Sequence, residues 1–581
     1  MSPASVIDGF DSELEKMRTH WNTPGITCIV VKDGDIVYSG AVGLRDIEKK
    51  LPMTTKTLQP IGSTSKAFTS TAVSMLVDDG KLEWDKPLHE QFRKFVLKDP
   101  VASSRVSLID MLSHRTGLPR HDFVWVNDEF TYSKIFDNLP HLEPSKEIRT
   151  TFQYCNLMYI AAAALVEEIS GVNYREFVKN RIFDPLKMNA VMSVKQMIAS
   201  DDYAMGYYDV AGKRTATEYD NLYEAQYTAA TGAGSINSSI DDMGNWLKFH
   251  LSKGMVNGNQ LVSPRNLTRT HQSVIMGGYD SLNQWLPDQK WIKQPAYALG
   301  WQTDVYRGYS RVRHGGHTDG SSTEMCFLPE EGIGVGAIVN EQANPLANAV
   351  VNILIDRLLK LEEVDWSNLL KPSFDAFKKV AHGSSVHEES LKIKETKTTF
   401  NLDKYQGKYH HPGYGVLNIS LNEGQLKMAF GSEIFPLKHY HYDTFQFLWE
   451  LFDVRELLTF HFNSYGEIDS LTIRIEPEVQ PIRFARLPDD HLTNPEFLKK
   501  IIGKYEFYGR TVEMTIKNEN ILVFNMPGAN PTDLIPISGM RFRPKDSTRM
   551  SIIFQADDNG EITGFLYAQV GAVILGTRIE S

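Results

Sequence analysis

The chain has 581 residues, 42% hydrophobic and 23% charged, an ordinary globular balance with material for roughly two to four domains. A net charge of −11 argues against an electrostatic nucleic-acid footprint and against attraction to anionic membranes. Cys28, Cys155 and Cys326 are far apart and without CxxC spacing, so neither a disulfide framework nor a zinc site is expected.

The N-terminal stretch MSPASVIDGFDSELEKMRTHW has no apolar core followed by a cleavage site, and the aliphatic run near YIAAAALV is too short to span a bilayer. The expected location is cytoplasmic. ITCIVVKDGDIVYSGAVG (26–43) predicts two strands around a Lys-Asp-Gly turn. AFTSTAVSMLVDDGKL predicts a helix closed by Gly80, and LMYIAAAALVEEISG (157–171) a second closed by Gly171. Residues 312–340 read as strands with turns, and ANAVVNILIDRLLKL (347–361) as an amphipathic helix. Strands and helices at both ends of a helical middle predict an α+β or three-layer domain.

Residues 363–400 turn polar and charged, notably HGSSVHEESLKIKETKT, and read as a linker. From 401 onward short alternating strands and glycine turns predict all-β structure. This region repeats: YQGKYHHPGYGVLNISLNEGQL (405–426) matches IIGKYEFYGRTVEMTIKNENIL (501–522) at a constant offset of 96 residues. YGEIDSL around Gly466 matches NGEITGF around Gly560. Two copies of one β-unit follow, at 401–487 and 498–581, each of about 85 residues, enough for a small barrel. Copy two carries four extra residues, in the turn-rich stretch NMPGANPTDL.

Three short motifs carry chemistry. In Ser63-Thr64-Ser65-Lys66 the spacing puts serine and lysine on one helical face. A serine hydroxyl needs a base, and a lysine serves as one only when burial or a nearby cation lowers its pKa. Alone, the motif fits a capping serine and a snorkelling lysine better. Tyr154-Cys155-Asn156 lies 91 residues after Ser63 and opens a buried helix, whereas the same pattern at Tyr219-Asp220-Asn221 sits in a polar stretch and reads as structural. His314-Gly315-Gly316-His317 reads as a glycine-bearing strand that a substrate backbone can approach, with a backbone N–H for an oxyanion; a β-turn is the alternative. His411-Pro412-Gly413 is read as a turn, GIGVGA (332–337) as a glycine-bearing strand, and HYHYD (439–443) with His410-His411 as solvated β-surface.

In this order and setting, with LIDMLSHRTGLP (108–119), TGAGSINSSIDDMGNWL (231–247) and ALGWQ (298–302), the motifs resemble the serine β-lactamase-like superfamily: penicillin-binding proteins, class C β-lactamases, family VIII esterases and D-aminopeptidases. The resemblance covers about residues 5–360. It implies a three-layer α/β/α catalytic domain with an antiparallel sheet over 1–362, followed by two lipocalin-like barrels. It implies Ser63 as acylated nucleophile, Lys66 and Tyr154 as general base and acid, and Asn156 as a positioner of Lys66 and substrate. His314 takes the place of the lysine in KTG, Gly316 lies on the substrate strand, and the N–H groups of Ser63 and His317 form the oxyanion hole. Histidine at 314 departs from KTG and is similar to the esterases and D-aminopeptidases. The plan with two barrels resembles the D-aminopeptidase branch, in which a loop of the last barrel reaches the site; Asp533 in the lengthened loop is the expected counterpart.

These readings imply a serine hydrolase without metal or cofactor, acting on small peptides, amides or esters, those with D-residues included. The rivals are a carboxylesterase, an acyltransferase, a β-lactamase and a non-catalytic scaffold. The expected partner is the substrate alone, with no nucleic acid or membrane; a homo-oligomer is left open.

Overall fold

The computed structural model describes residues 7–126, 129–210, 213–277, 286, 290–381, 391–449, 454–464, 466–547 and 549–579. The predicted hairpin forms as Gly25–Lys32 and Asp35–Asp46. It joins an antiparallel sheet of nine strands among the described residues. The order runs from Ile275–Met276 through Ile292–Tyr297, Gln302–Tyr306, Tyr309–Thr318, Ser321–Leu328 and Ile333–Val339 to the hairpin and Leu51–Pro52. All of GIGVGA after Gly332 therefore belongs to a fully buried inner strand, Ile333–Val339.

Alternation along the strands makes the layers. Ile26, Cys28 and Val30 face one core with Leu14, Val350 and Leu354, from the helices Phe10–His20 and Leu346–Leu358. Ile29 and Val31 face the other, with Phe68 and Trp246 of Ser65–Asp78 and Ile240–Leu251. Phe68 stacks on Trp246 at 3.7 Å between centroids, which fixes the helix behind Lys66.

The first part of the expected linker is structured. Trp366–Ala381 is a helix whose Trp366, Leu370 and Phe374 pack into the first of these cores. An apolar stripe overrides the charged residues between it. The polar stretch 382–390 lies outside the described residues. Among the described residues no helix is long and apolar enough to cross a membrane.

Both β-units form. The second is a closed barrel of eight strands, from Gly503–Phe507 to Ala572–Arg578. The first is a nearly closed sheet of nine described strands whose edges, Glu433–Pro436 and Lys438–His441, are joined through Leu437. The repeat is visible atom by atom. Gly407 and Gly503 both have φ +143°, a glycine conformation. Arg486 donates to the Gln406 carbonyl at 2.7 Å and Arg578 to that of Ile502 at 2.9 Å. The His411 turn is as read: Gly413 N–H donates to His411 Nδ1 at 3.0 Å.

The two barrels are held differently. The first shares one continuous core with the catalytic domain, where Phe430 stacks on Phe123 at 4.3 Å. The second keeps a core of its own.

Candidate active site

A 3₁₀ turn, Gly62–Thr64, leads into the helix Ser65–Asp78. Its tightness brings Ser63 and Lys66 together: Lys66 Nζ lies 3.0 Å from Ser63 Oγ. Lys66 is fully buried, and its amine also reaches the carbonyl of Ala233 at 2.8 Å and Asn156 Oδ1 at 2.9 Å. Asn156 opens the helix Asn156–Ser170, and its Nδ2 donates to Asp122 Oδ1 at 3.1 Å. A carboxylate accepts only, so the amide orientation is set and Oδ1 faces the lysine.

These partners accommodate the neutral amine that the environment favours. A neutral amine has two N–H bonds and one lone pair. The Ala233 carbonyl and Asn156 Oδ1 each take an N–H, which leaves the lone pair toward Ser63 Oγ. Burial, and then the nearby Arg120 guanidinium, hold Lys66 well below the usual ammonium range. The Tyr154 ring lies beside this amine, its centroid 4.8 Å from Nζ.

His314 is buried on the strand Tyr309–Thr318. Its Nδ1 faces the Gly315 carbonyl at 2.6 Å, so Nδ1 carries the proton. Nε2 then accepts from Tyr297 Oη–H at 2.9 Å. The ring is neutral: burial drops its pKa to about 3. Gly316 has a different use from the expected one. A Cβ there would sit 1.9 Å from the Ile61 carbonyl, so the strand accommodates the protein's own nucleophile turn. Gly62, at φ +52°, would likewise meet the His317 backbone N at 2.7 Å. The two glycines thus press the His317 backbone against the Ser63 turn.

Ser63, Tyr154, Asn156, His314 and His317 line one cleft of about 530 Å³. Lys66 lies behind it, bonded to Ser63. Asp533 does not line it. That carboxylate pairs with Lys517 at 3.2 Å on the second barrel, and no described residue of 498–581 is among the cleft's walls. The barrel that reaches the cleft is the first, through Glu456 and Ile475. Tyr219 takes the structural place read for it, accepting from the Gly206 N–H at 3.1 Å.

Several site residues had no motif of their own. Arg120 and Asp122 line the cleft and pair at 2.6 Å. His114 is buried under Tyr154, ring centroids 4.4 Å apart, and accepts the Cys155 N–H at Nδ1, 3.1 Å. His114 stands inside LIDMLSHRTGLP, and Arg120 and Asp122 follow just after it, so that phrase marked the neighbourhood without marking their roles. Asp319 directly follows the His314 strand and lines the cleft; burial pushes its carboxyl up to about 6.

A cleft-lining serine beside a buried lysine one turn on, faced by Tyr-x-Asn and by a sheet strand in an α/β/α fold, defines the class. The chain belongs to the Beta-lactamase family, whose description matches residues 10–360. Residues 391–486 match a domain of unknown function, DUF3471. Unguisins hydrolase ungD of Aspergillus violaceofuscus is 29% identical over 448 residues, covering 73% of this chain and 78% of that protein. Protein flp of Staphylococcus aureus is 22% identical over 57% of this chain and 62% of its own length. Among solved structures, the octameric penicillin-binding protein homologue from Pyrococcus abyssi shares the fold with a TM-score of 0.53 at 21% identity. It covers 84% of this chain and all of its own, 100%. The D-amino acid amidase from Ochrobactrum anthropi SV3, complexed with L-phenylalanine, gives 0.50 at 20% identity, over 60% of this chain and 97% of that one.

Proposed function

We propose that this chain is a serine hydrolase that cleaves amide bonds of small peptides or amides through an acyl-enzyme. The observation that carries the reading is the Lys66 amine, buried, with both N–H directions taken by carbonyl oxygens and 3.0 Å from Ser63 Oγ. In the proposed cycle Lys66, with Tyr154, takes the Ser63 proton as Oγ attacks the carbonyl. The oxyanion forms against the N–H groups of Ser63 and His317, which the Gly62 and Gly316 packing holds together. The proton passes to the leaving amine, and water attacks the ester by the reverse route. His314 and Tyr297 hold the strand in register and supply no charge.

The name of the Aspergillus relative supports a hydrolase. A neutral His314 gives no lysine-like cation for a β-lactam carboxylate, which favours amides over β-lactams. Asp319 is the acidic group we assign to recognition of a substrate ammonium, in place of Asp533. Its carboxylate accepts from Gln342 Nε2 at 3.4 Å, and among the described residues no cation is paired with it. The test is kcat/KM across D- and L-aminoacyl anilides and p-nitrophenyl esters. The reading expects anilide turnover that depends on a free amine. Turnover of neutral esters alone would replace it with a carboxylesterase.

A further inference from the structure

We propose that the first barrel is a working part of the active site, because it fixes the strap that holds the base in place. This rests on the hydrolase reading of Ser63 and Lys66. The strap is residues 120–126, which end in the short helix Phe123–Val126. Its front lines the cleft with Arg120, Asp122, Trp125 and Val126. Its back is bound by the barrel.

Three contacts make that bond. The His121 N–H donates to Glu476 Oε2 at 2.7 Å. His121 Nε2 faces the Glu143 carbonyl at 2.9 Å and so carries the ring proton, which leaves Nδ1 to accept from Tyr414 Oη–H at 2.5 Å. Phe123 stacks on Phe430 with the rings 7° from parallel. His121, Tyr414 and Glu476 are all buried, so none of these bonds competes with water. His121 has φ +47°, a strained backbone for a histidine that persists only where its surroundings enforce it.

The next residue is Asp122. It accepts Asn156 Nδ2 at 3.1 Å, and Trp125 Nε1 at 2.9 Å through the same oxygen. Asn156 in turn accepts from Lys66. A continuous chain of bonds therefore runs from the barrel's Tyr414 and Glu476, through His121 and Asp122, to Asn156, Lys66 and Ser63. Releasing the strap lets Asp122 and Asn156 move, and the Lys66 lone pair loses its aim at Ser63. Tyr414 and Glu476 are positioning residues in this account: they touch no reacting atom. The region that matches a domain of unknown function thereby acquires a task.

The test uses the full chain with three substitutions. Tyr414→Phe removes the donor to His121 and keeps the ring. Glu476→Ala removes the acceptor, and Glu476→Gln keeps an oxygen there. The expected result is a kcat about tenfold lower for Tyr414→Phe and Glu476→Ala, with KM for a small neutral ester changed less than twofold, and kcat restored in Glu476→Gln. A uniformly structural role would lower the amount of folded enzyme without that split or that rescue. Tyr414→Phe, the milder change, carries the test if Glu476→Ala does not fold. Wild-type kcat in folded Tyr414→Phe would overturn the proposal. Labelling of wild-type Ser63 by a fluorophosphonate separates the two readings. Labelled wild type with unaffected variants defeats the barrel's role alone, and unlabelled wild type defeats both.

Discussion

The two barrels are copies of one β-unit, yet one is fused to the catalytic core and the other is not. They share the Gly-Lys-Tyr start and the arginine that closes it. Arg486 lies 6.0 Å from the Tyr409 ring, and Arg578 lies 6.0 Å from the Tyr505 ring. What differs is the outside. The first barrel offers Tyr414, Phe430 and Glu476 to the strap at 120–126, and Glu456 and Ile475 to the cleft. The second meets the first through the Arg541–Glu467 pair, 2.5 Å, and has a separate core. Repetition thus preserves the closing bonds of the fold while leaving the outward surface free to take different tasks.

The largest effect is expected at the group that the first barrel supports. Lys66→Met keeps the length and removes the amine; kcat/KM should fall by about 10³-fold or more in a steady-state assay. For the wild type, Lys66 must be neutral to act. Because burial lowers its pKa, activity should be present at neutral pH, fall as pH drops through that lowered value, and be flat above it.

The next effect separates the barrels. Phe430→Ala and Phe565→Ala each remove a buried ring, 1% and 0% exposed, at a cost of about 3–5 kcal/mol. Phe430→Ala should lower both the thermal midpoint and kcat, since it loosens Phe123. Phe565→Ala should lower the stability of the second barrel and leave kcat within about twofold of wild type.

A smaller effect is expected at Asp319. Asp319→Asn should raise KM about tenfold for substrates with a free amine and leave neutral esters unchanged, for a charged hydrogen bond lost. The smallest belongs to Asp533. It pairs with a half-exposed Lys517, so Asp533→Ala should alter stability by under about 1 kcal/mol and leave kinetics unchanged. A large kinetic effect there would restore the second barrel to the site.

How much of this was legible follows the same division. Local signals were clear: the helices Ser65–Asp78 and Asn156–Ser170 and the Gly25–Asp46 hairpin all stand where periodicity, glycine and β-branching put them. So was the β-repeat, since its glycine and arginine serve each barrel's own closure. The motifs that meet in the cleft could be named from the chain because each needs specific residue types. Asp122, His121 and Tyr414 could not be assigned their roles, because these lie in bonds between separate segments, Asp122 to Asn156 and, 293 residues apart, His121 to Tyr414. The lengthened loop at 525–534 pointed to the second barrel. Loop length, however, says nothing about which face of a barrel is docked. The helix Trp366–Ala381 was hidden among lysines and aspartates, though its Trp, Leu and Phe fall on one stripe.

The central claim is that a neutral, buried Lys66 activates Ser63. Its most direct test is the rate of fluorophosphonate labelling as a function of pH, with the labelled peptide identified by mass spectrometry. The account predicts labelling of Ser63, a rate that falls toward acid with an inflection well below the ordinary lysine range, and a loss of about 10³-fold in Lys66→Met. Labelling at another residue, or equal rates in wild type and Lys66→Met, would contradict it.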